Sequence, residues 1–443
     1  MSHNEVRFLG STFTKALVLE HPDPSLDDHL RAQGIEPIRV PKAQTGDREM
    51  ILELMRREQP DLLYKRSKFE VDEQVVRASS KLAAVLLCCI GDDSVDKDAC
   101  ARHGVLVMND PMSNARSVVE LVFGEMITLA RRVYESNDET HRHVWGKNNV
   151  RRYELKGKTL GVLGLGNIGN QVAQLGEAFG MDIAFYDDRE VAQEVGKELG
   201  WALSGSMEEL FRSSDFLSVH VSAQNARGEL NQNMLTYEHF KLMGASRGEN
   251  SPRIFINLGR GFLYDAQQLV RAVRDGHVRY ASVDVFPQEP GSKEDAWENP
   301  YAEVSEIVTT PHIGAATQEA QPRIAKYVAG TTRLFGALGT VRSCVYAPKV
   351  EIGVDPSRAT HVLTVVHSDA RGTKKAISDS IFEAGRNNIE SSHRDFPKYG
   401  FAYDVSAIDG ALTKAQLDEL IENARRISGD PTAIRAIRQI ALG

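Results

Sequence analysis

Six residues, Gly164-Leu165-Gly166-Asn167-Ile168-Gly169, lie between the apolar run Leu160 to Leu163 and a segment in which Val172, Leu175 and Phe179 recur at helical spacing. A short apolar run, a glycine turn and a helix-period segment predict strand, tight loop and helix. In such a unit Gly164 permits the turn, Gly166 lets the backbone approach a pyrophosphate, and Gly169 lets helix and strand pack closely. The helix start, with Asn167 and Ile168, offers unpaired N–H groups and a favourable dipole to the phosphates. A glycine turn alone is common. A second apolar run, Ile183 to Tyr186, ends in Asp187 about 20 residues beyond the loop, where a dinucleotide site places an acid for the ribose hydroxyls. The same carboxylate repels a 2′-phosphate, so the expected cofactor is NAD rather than NADP.

The length of 443 residues predicts about three domains. A hydrophobic content of 42% and a charged content of 26% are those of an ordinary globular protein. The net charge of −8 argues against an extended nucleic-acid-binding surface, and an anionic substrate needs a local basic pocket. The beginning of the chain lacks the cationic-then-apolar pattern of a secretory signal. The longest strongly apolar run, Ala83 to Ile90, is too short to span a bilayer and reads as a strand buried on both faces. Cys88, Cys89, Cys100 and Cys344 form no Cys-x-x-Cys pair, so a reducing cytoplasm is the expected setting, with no membrane partner.

From Lys15 onward strand-like and helix-like segments alternate: strands at Ala16 to Leu19, Pro37 to Val40 and Asp61 to Tyr64, helices at Leu26 to Ala32 and Met50 to Arg57. The alternation predicts a parallel sheet covered on both faces. Ser113 to Glu120 opens a segment, Val118 to Tyr134, that reads as one long helix, with Asn114 as its expected cap. After the glycine loop come strands at Phe216 to Val219, Ile254 to Asn257, Ala281 to Val285 and Ile307 to Thr309, then a helix from Gln318 to Leu338. The tail reads as strand (360–366), helix (373–384), strands (388–391 and 402–408), helix (414–426) and strand (433–437). That βαββαβ order marks a small ferredoxin-like domain.

Three motifs fall at the carboxyl ends of expected strands, where open α/β sheets hold ligands: INLGRG with Arg260, VDVFPQEP with Asp284 and Glu289, and TPHIGAAT with His312. Arginine offers a planar fork for a carboxylate, and histidine an acid or base that works near neutral pH. A carboxylate beside that histidine raises its pKa and holds its tautomer. Together they suit hydride transfer at a carbon bearing a hydroxyl and a carboxylate.

On these motifs the chain resembles the D-isomer-specific 2-hydroxyacid dehydrogenases. In SNARSVVELVFGE, HVWGK and VDVFPQEP it is similar to their phosphoglycerate dehydrogenase branch with a C-terminal ACT domain. The resemblance covers nearly the whole chain. It implies a Rossmann-type doubly wound sheet over residues 114–314, and a flavodoxin-like substrate domain over 1–113 that regains about 315–356. An ACT domain is implied over 357–443. It implies Arg260, Glu289 and His312 as the catalytic set, with Asp284 and His220 beside the cofactor. Lys42 and Arg66, with Ser67 beside them, are implied contacts for a substrate phosphate, and Asn114 for its carboxylate; Lys68 adds a positive charge close by. The activity implied is NAD-dependent oxidation of D-3-phosphoglycerate to 3-phosphohydroxypyruvate, which opens serine biosynthesis. A homo-oligomer, dimer or tetramer, is implied, with Trp145 and Lys147 on a segment that in relatives approaches a neighbouring subunit's site.

The ACT resemblance implies L-serine as effector at His367, Asp369 and Asn388. Asp369 stands where the serine-binding pattern has an amide, and Ala370-Arg371-Gly372 replaces Arg-Pro-Gly. Asp92-Asp93 and Ser222 also depart from the family pattern, near the expected substrate and adenine positions. A reductase of hydroxypyruvate, glyoxylate or 2-oxoglutarate, and a non-enzymatic NAD-sensing scaffold, are the alternative readings.

Overall fold

The computed structural model describes residues 6–225, 227, 229–290, 295–345 and 349–442. Its contacts divide the chain into two compact units, Met1–Ser113 with Gln321–Gly443, and Asn114–Ala320. The second crossing therefore lies a few residues beyond the position near 315 expected from sequence.

The N-terminal part of the first unit begins with β1 (Arg7–Leu9), followed by β2 (Lys15–Val18), β3 (Glu36–Arg39), β4 (Leu62–Lys65), β5 (Ala84–Leu87) and β6 (Leu106–Asn109). Strands β2 to β6 form one parallel sheet in the order β3-β2-β4-β5-β6. β4 and β5 are buried throughout, as their continuous apolar runs require of central strands covered on both faces. Three aspartates start the intervening helices. The side chains of Asp47, Asp72 and Asp96 accept from the backbone N–H groups of Met50, Val75 and Ala99, replacing partners that a helix start lacks.

The second unit holds a seven-stranded parallel sheet: β7 (Thr159–Leu163), β8 (Asp182–Tyr186), β9 (Ala202–Leu203), β10 (Phe216–Val219), β11 (Ile254–Asn257), β12 (Tyr280–Val283) and β13 (Ile307–Thr309). Its order, β13-β12-β11-β10-β7-β8-β9, reverses between β7 and β10, which makes the carboxyl ends of that pair the ligand-binding crevice of a doubly wound fold. Apolar clusters cover both faces of the sheet. The long helix expected over Val118 to Tyr134 is two helices, Ala115–Arg131 and Val133–His141. Arg132 breaks the run by adopting φ of 55°, and its N–H closes back on the carbonyls of Leu129 and Thr128. Helical periodicity continues across the break, so the side-chain pattern alone carries no sign of it.

The tail supplies a short antiparallel pair, β14 (Val341–Arg342) with β15 (Lys349–Val350), and then β16 (His361–His367), β17 (Asn388–Phe396), β18 (Phe401–Ile408) and β19 (Ile434–Ala441). With helices Thr373–Glu383 and Lys414–Ser428 these make the expected βαββαβ module, in the ferredoxin-like order β19-β16-β18-β17. The sheet has a fifth strand that the sequence reading missed. β1 pairs in parallel with β19, with Arg7 opposite Ala436. The tail therefore shares one hydrophobic core with the N-terminal sheet of its unit, through Val362, Val366, Tyr403 and Val405. Two buried arginines tie it there. Arg7 donates to the carbonyls of Val76 (2.7 Å) and Ser79 (2.6 Å). Arg438 donates to those of Gly10, Ser11, Phe335 and Gly336 at 2.7–2.8 Å and lies over the ring of Phe13. Burial lowers both guanidinium pKa values to about 10, so both stay charged at neutral pH, satisfied by carbonyls rather than by carboxylates.

Candidate active site

In the second unit the three glycines meet three different demands. Gly164 has φ of +92°, and a Cβ there would lie 2.8 Å from the backbone of His220 on the neighbouring strand end. A Cβ on Gly169 would lie 2.0 Å from the Gly164 carbonyl, so only glycine lets the helix Asn167–Ala178 start this close to β7. A Cβ on Gly166 would meet no protein atom nearer than 3.9 Å, so what glycine leaves open there is approach to the backbone. Gly166 is also the N-cap of that helix and has no side chain to satisfy the first N–H groups. A loop packed tightly on two sides, with a helix start that carries no side-chain cap on the third, fits a pyrophosphate.

Asp187 follows β8, with its side chain almost wholly buried. One oxygen, Oδ2, accepts from Leu165 N (2.7 Å) and Arg189 Nη2 (2.7 Å); Oδ1 accepts from Arg189 N and Nε, both at 2.9 Å. Burial opposes its ionised form, but the bonds from Arg189 and Leu165 outweigh that and hold the carboxyl below its usual range. His220, after β10, lies 2.8 Å from Ser218 Oγ through Nε2, and burial drives its pKa down to about 3, so the ring is neutral. Ser222 donates to the Gln224 carbonyl.

The three chemical motifs occupy the carboxyl ends of β11, β12 and β13. His312 Nδ1 lies 2.8 Å from Glu289 Oε2, and Glu289 Oε1 accepts from Phe286 N. The bond to Glu289 raises the His312 pKa, while burial and the Arg260 charge oppose it. The imidazole is about half exposed, and with Nδ1 engaged by the carboxylate, Nε2 is the nitrogen left for a reacting group. Arg260 follows β11 on a turn ordered by the buried Asn257, which donates to the Arg260 carbonyl and accepts from Gly259 N. Gly261 is required there, because a Cβ would lie 2.1 Å from the Phe286 backbone.

Asp284, expected beside the cofactor, has its buried carboxylate turned to the histidine loop. It accepts from Thr310 Oγ1 (2.6 Å), Ile313 N (2.8 Å) and Gly314 N (2.8 Å). His312 sits between these anchors with φ of 55°, a conformation a β-substituted residue holds only when its flanks are fixed. Asn114, the expected cap of the helix Ala115–Arg131, makes no side-chain cap bond, and its buried Oδ1 has no partner among the described residues.

In the first unit Lys42 follows β3 and Arg66 follows β4, so both lie at the carboxyl edge of the same parallel sheet. Lys42, Ser67 and Lys68 are exposed and Arg66 half-buried. The sequence reading missed the residue that shapes this loop. Glu20, itself at φ of 60°, accepts from the backbone N–H of Arg66, Lys68 and Phe69, each at 2.7 Å. Asp92 pairs with Lys97 at 3.2 Å, so one of the two unexpected acids is locally neutralised.

In the C-terminal module His367 Nδ1 donates to the Ser368 carbonyl (2.7 Å), and burial lowers its pKa to about 4. Asp369 is exposed, and Asn388 Nδ2 lies 3.5 Å from Ser406 Oγ. His393 stacks on His367 with centroids 5.2 Å apart, and Lys374 pairs with the buried Asp404 beside them, neither of which the sequence reading singled out. In the second unit Trp145 is 86% exposed, and Lys147 lies on the same exposed stretch.

Residues 123–314 match the D-isomer specific 2-hydroxyacid dehydrogenase, NAD binding domain. The chain is 33% identical to D-3-phosphoglycerate dehydrogenase of Escherichia coli strain K12, over 90% of this chain and 93% of that protein. It is 31% identical to D-3-phosphoglycerate dehydrogenase of Dictyostelium discoideum, over 84% of each. Among solved structures, TT0316 protein from Thermus thermophilus superposes with a TM-score of 0.59 at 27% identity, covering 72% of this chain and 96% of that one.

Proposed function

The chain belongs to the D-isomer-specific 2-hydroxyacid dehydrogenase family, and on that premise we propose that it oxidises D-3-phosphoglycerate to 3-phosphohydroxypyruvate with NAD, the reaction that opens serine biosynthesis. The observation that carries the chemistry is the bond between His312 Nδ1 and Glu289 Oε2. It fixes the imidazole tautomer and leaves Nε2 to take the proton of the C2 hydroxyl. As that proton leaves, the ring becomes an imidazolium, and Glu289 stabilises the charge. Arg260 holds the substrate carboxylate and polarises the oxygen that becomes the keto group. Asp284 holds the loop on which His312 sits. Bound NAD supplies the nicotinamide carbon that accepts the hydride released from C2. The atoms then balance: C2 loses a hydride to the cofactor and its oxygen loses a proton to His312.

The cations Lys42 and Arg66 are the groups suited to the substrate's phosphate, and Asn114 to its carboxylate. We assign the C-terminal βαββαβ module to regulation as an ACT domain, with L-serine as the candidate effector at His367 and Asn388. Asp369 places a carboxylate where an amide would donate, and calorimetry with L-serine beside an activity titration decides the matter. A homo-oligomer and a cytoplasmic location complete the reading. No helix among the described residues is long and apolar enough to cross a membrane.

Comparing kcat/KM for D-3-phosphoglycerate, D-2-hydroxyglutarate and D-glycerate tests the substrate. Preference for the phosphorylated acid is expected. Preference for hydroxyglutarate would move the assignment to another hydroxy acid, and no NADH from any of them would favour a non-enzymatic NAD sensor.

A further inference from the structure

Both oxygens of Asp187 are already in use. The carboxylate has about four acceptor sites, and protein donors fill them: Leu165 N and Arg189 Nη2 on Oδ2, Arg189 N and Nε on Oδ1. Two of those four come from one guanidinium, in the paired geometry that makes an arginine–carboxylate contact strong. The partners are unequally placed, since the Asp187 side chain is 3% exposed and that of Arg189 is 51% exposed. The arginine reaches in from the surface, and it does so beside the glycine loop, because its Nη2 is the nearest atom, at 3.9 Å, to a Cβ built on Gly166. Asp188 adds a further negative charge acting on the same guanidinium.

We propose that Arg189 sets the dinucleotide selectivity of this site, competing with the NAD ribose for Asp187 and offering its charge to a 2′-phosphate.

A ribose with free 2′- and 3′-hydroxyls brings two donors, which can replace the two that the guanidinium side chain supplies. The buried carboxylate stays satisfied, and the arginine is released to solvent. A ribose carrying a 2′-phosphate has lost one of those donors and gained negative charge, so it cannot make that exchange. It can instead meet a guanidinium that stays on Asp187 and cancels the repulsion between carboxylate and phosphate. Arg189 thus weakens NAD binding and relieves the penalty against NADP. Asp187 read alone predicts strict exclusion of NADP; the Asp187–Arg189 pair predicts a narrowed preference for NAD.

The test is direct binding, which is independent of which hydroxy acid is oxidised. Dissociation constants for NAD and NADP are measured by calorimetry on the full-length wild type and on Arg189→Gln, with thermal melting to verify that the variant is folded. The expected result is tighter NAD binding and weaker NADP binding in the variant, so that the ratio of the two constants grows about tenfold or more. Arg189→Lys, which keeps a charge but not the planar fork, is expected to fall between the two. A ratio unchanged within about twofold, or an equal loss of both nucleotides, would overturn the proposal and make Arg189 a structural support of the loop. A wild type that binds neither nucleotide would overturn the cofactor assignment and this proposal with it, whereas failure to oxidise phosphoglycerate would leave both standing.

Discussion

His312 and Glu289 form a hydrogen-bonded pair, Nδ1 to Oε2 at 2.8 Å, across 23 residues of chain. The pair joins two loops, one after β12 and one after β13, and it does two things at once. On the proposed mechanism it fixes which ring nitrogen is left for the substrate, and it raises the affinity of that ring for a proton.

The pH dependence follows from that pair. With His312 as the proposed base, oxidation requires it neutral, so kcat/KM is expected to rise with pH through the histidine's pKa and to fall away below it. Glu289 raises that pKa, so the acid limb of the wild type lies above the ordinary histidine value. Glu289→Gln removes the charge and should move the limb to lower pH while reducing the plateau rate by about 10² or more. A full pH profile of both proteins checks it. A limb that stays in place would mean that some other group titrates.

On the proposed mechanism Asp284, hydrogen-bonded to the histidine loop, is a positioning residue for it. Asp284→Ala leaves Thr310 Oγ1, Ile313 N and Gly314 N without their acceptor. A buried unpaired donor costs about 1–3 kcal/mol. The variant should melt several degrees lower and lose turnover, with the KM for NAD changed much less than kcat. A large rise in that KM at unchanged stability would instead make Asp284 a direct cofactor contact.

The glycine loop yields a paired test. Gly166→Ala adds a methyl that meets no protein atom closer than 3.9 Å, so the variant should fold with wild-type stability and bind NAD poorly. Gly169→Ala drives a methyl to within 2.0 Å of the Gly164 carbonyl, so it should lower the melting temperature as well as cofactor affinity. Equal stability losses in the two would contradict the assignment of Gly166 to the ligand.

Glu20 shapes the loop that carries Arg66. Glu20→Ala removes the acceptor for three backbone N–H groups at once. The expected outcome is a KM for phosphoglycerate raised about tenfold, with the KM for NAD unchanged. Steady-state kinetics with each substrate varied in turn separates the two. An unchanged KM for phosphoglycerate would remove this loop from substrate recognition.

How much of this was legible in the chain depends on the distance over which each signal acts. The glycine loop, the parallel strands and the βαββαβ tail carry local periodicity, and all are present in the fold. The proximity of Glu289 and His312 could be inferred only from the family's spacing, since nothing local says that two loops 23 residues apart will meet. Arg438 donates to the carbonyls of Gly10 and Ser11, more than 400 residues earlier in the chain, and a lone arginine in a strand bears no mark of that. β1 is three residues long, too short for any alternation to register. Asp187 follows β8, as its place after an apolar run implies. Its partner two residues on is not legible there, because sequence shows that an arginine is near and not that it turns back onto the carboxylate.

The most direct measurement is made on His312→Ala. Turnover of D-3-phosphoglycerate, followed by NADH formation, is compared with the wild type, while NAD binding to both proteins is measured by calorimetry. The expected result is a loss of about 10² to 10⁴ in kcat with the dissociation constant for NAD little changed. A near-normal kcat in a variant that still binds NAD would contradict it.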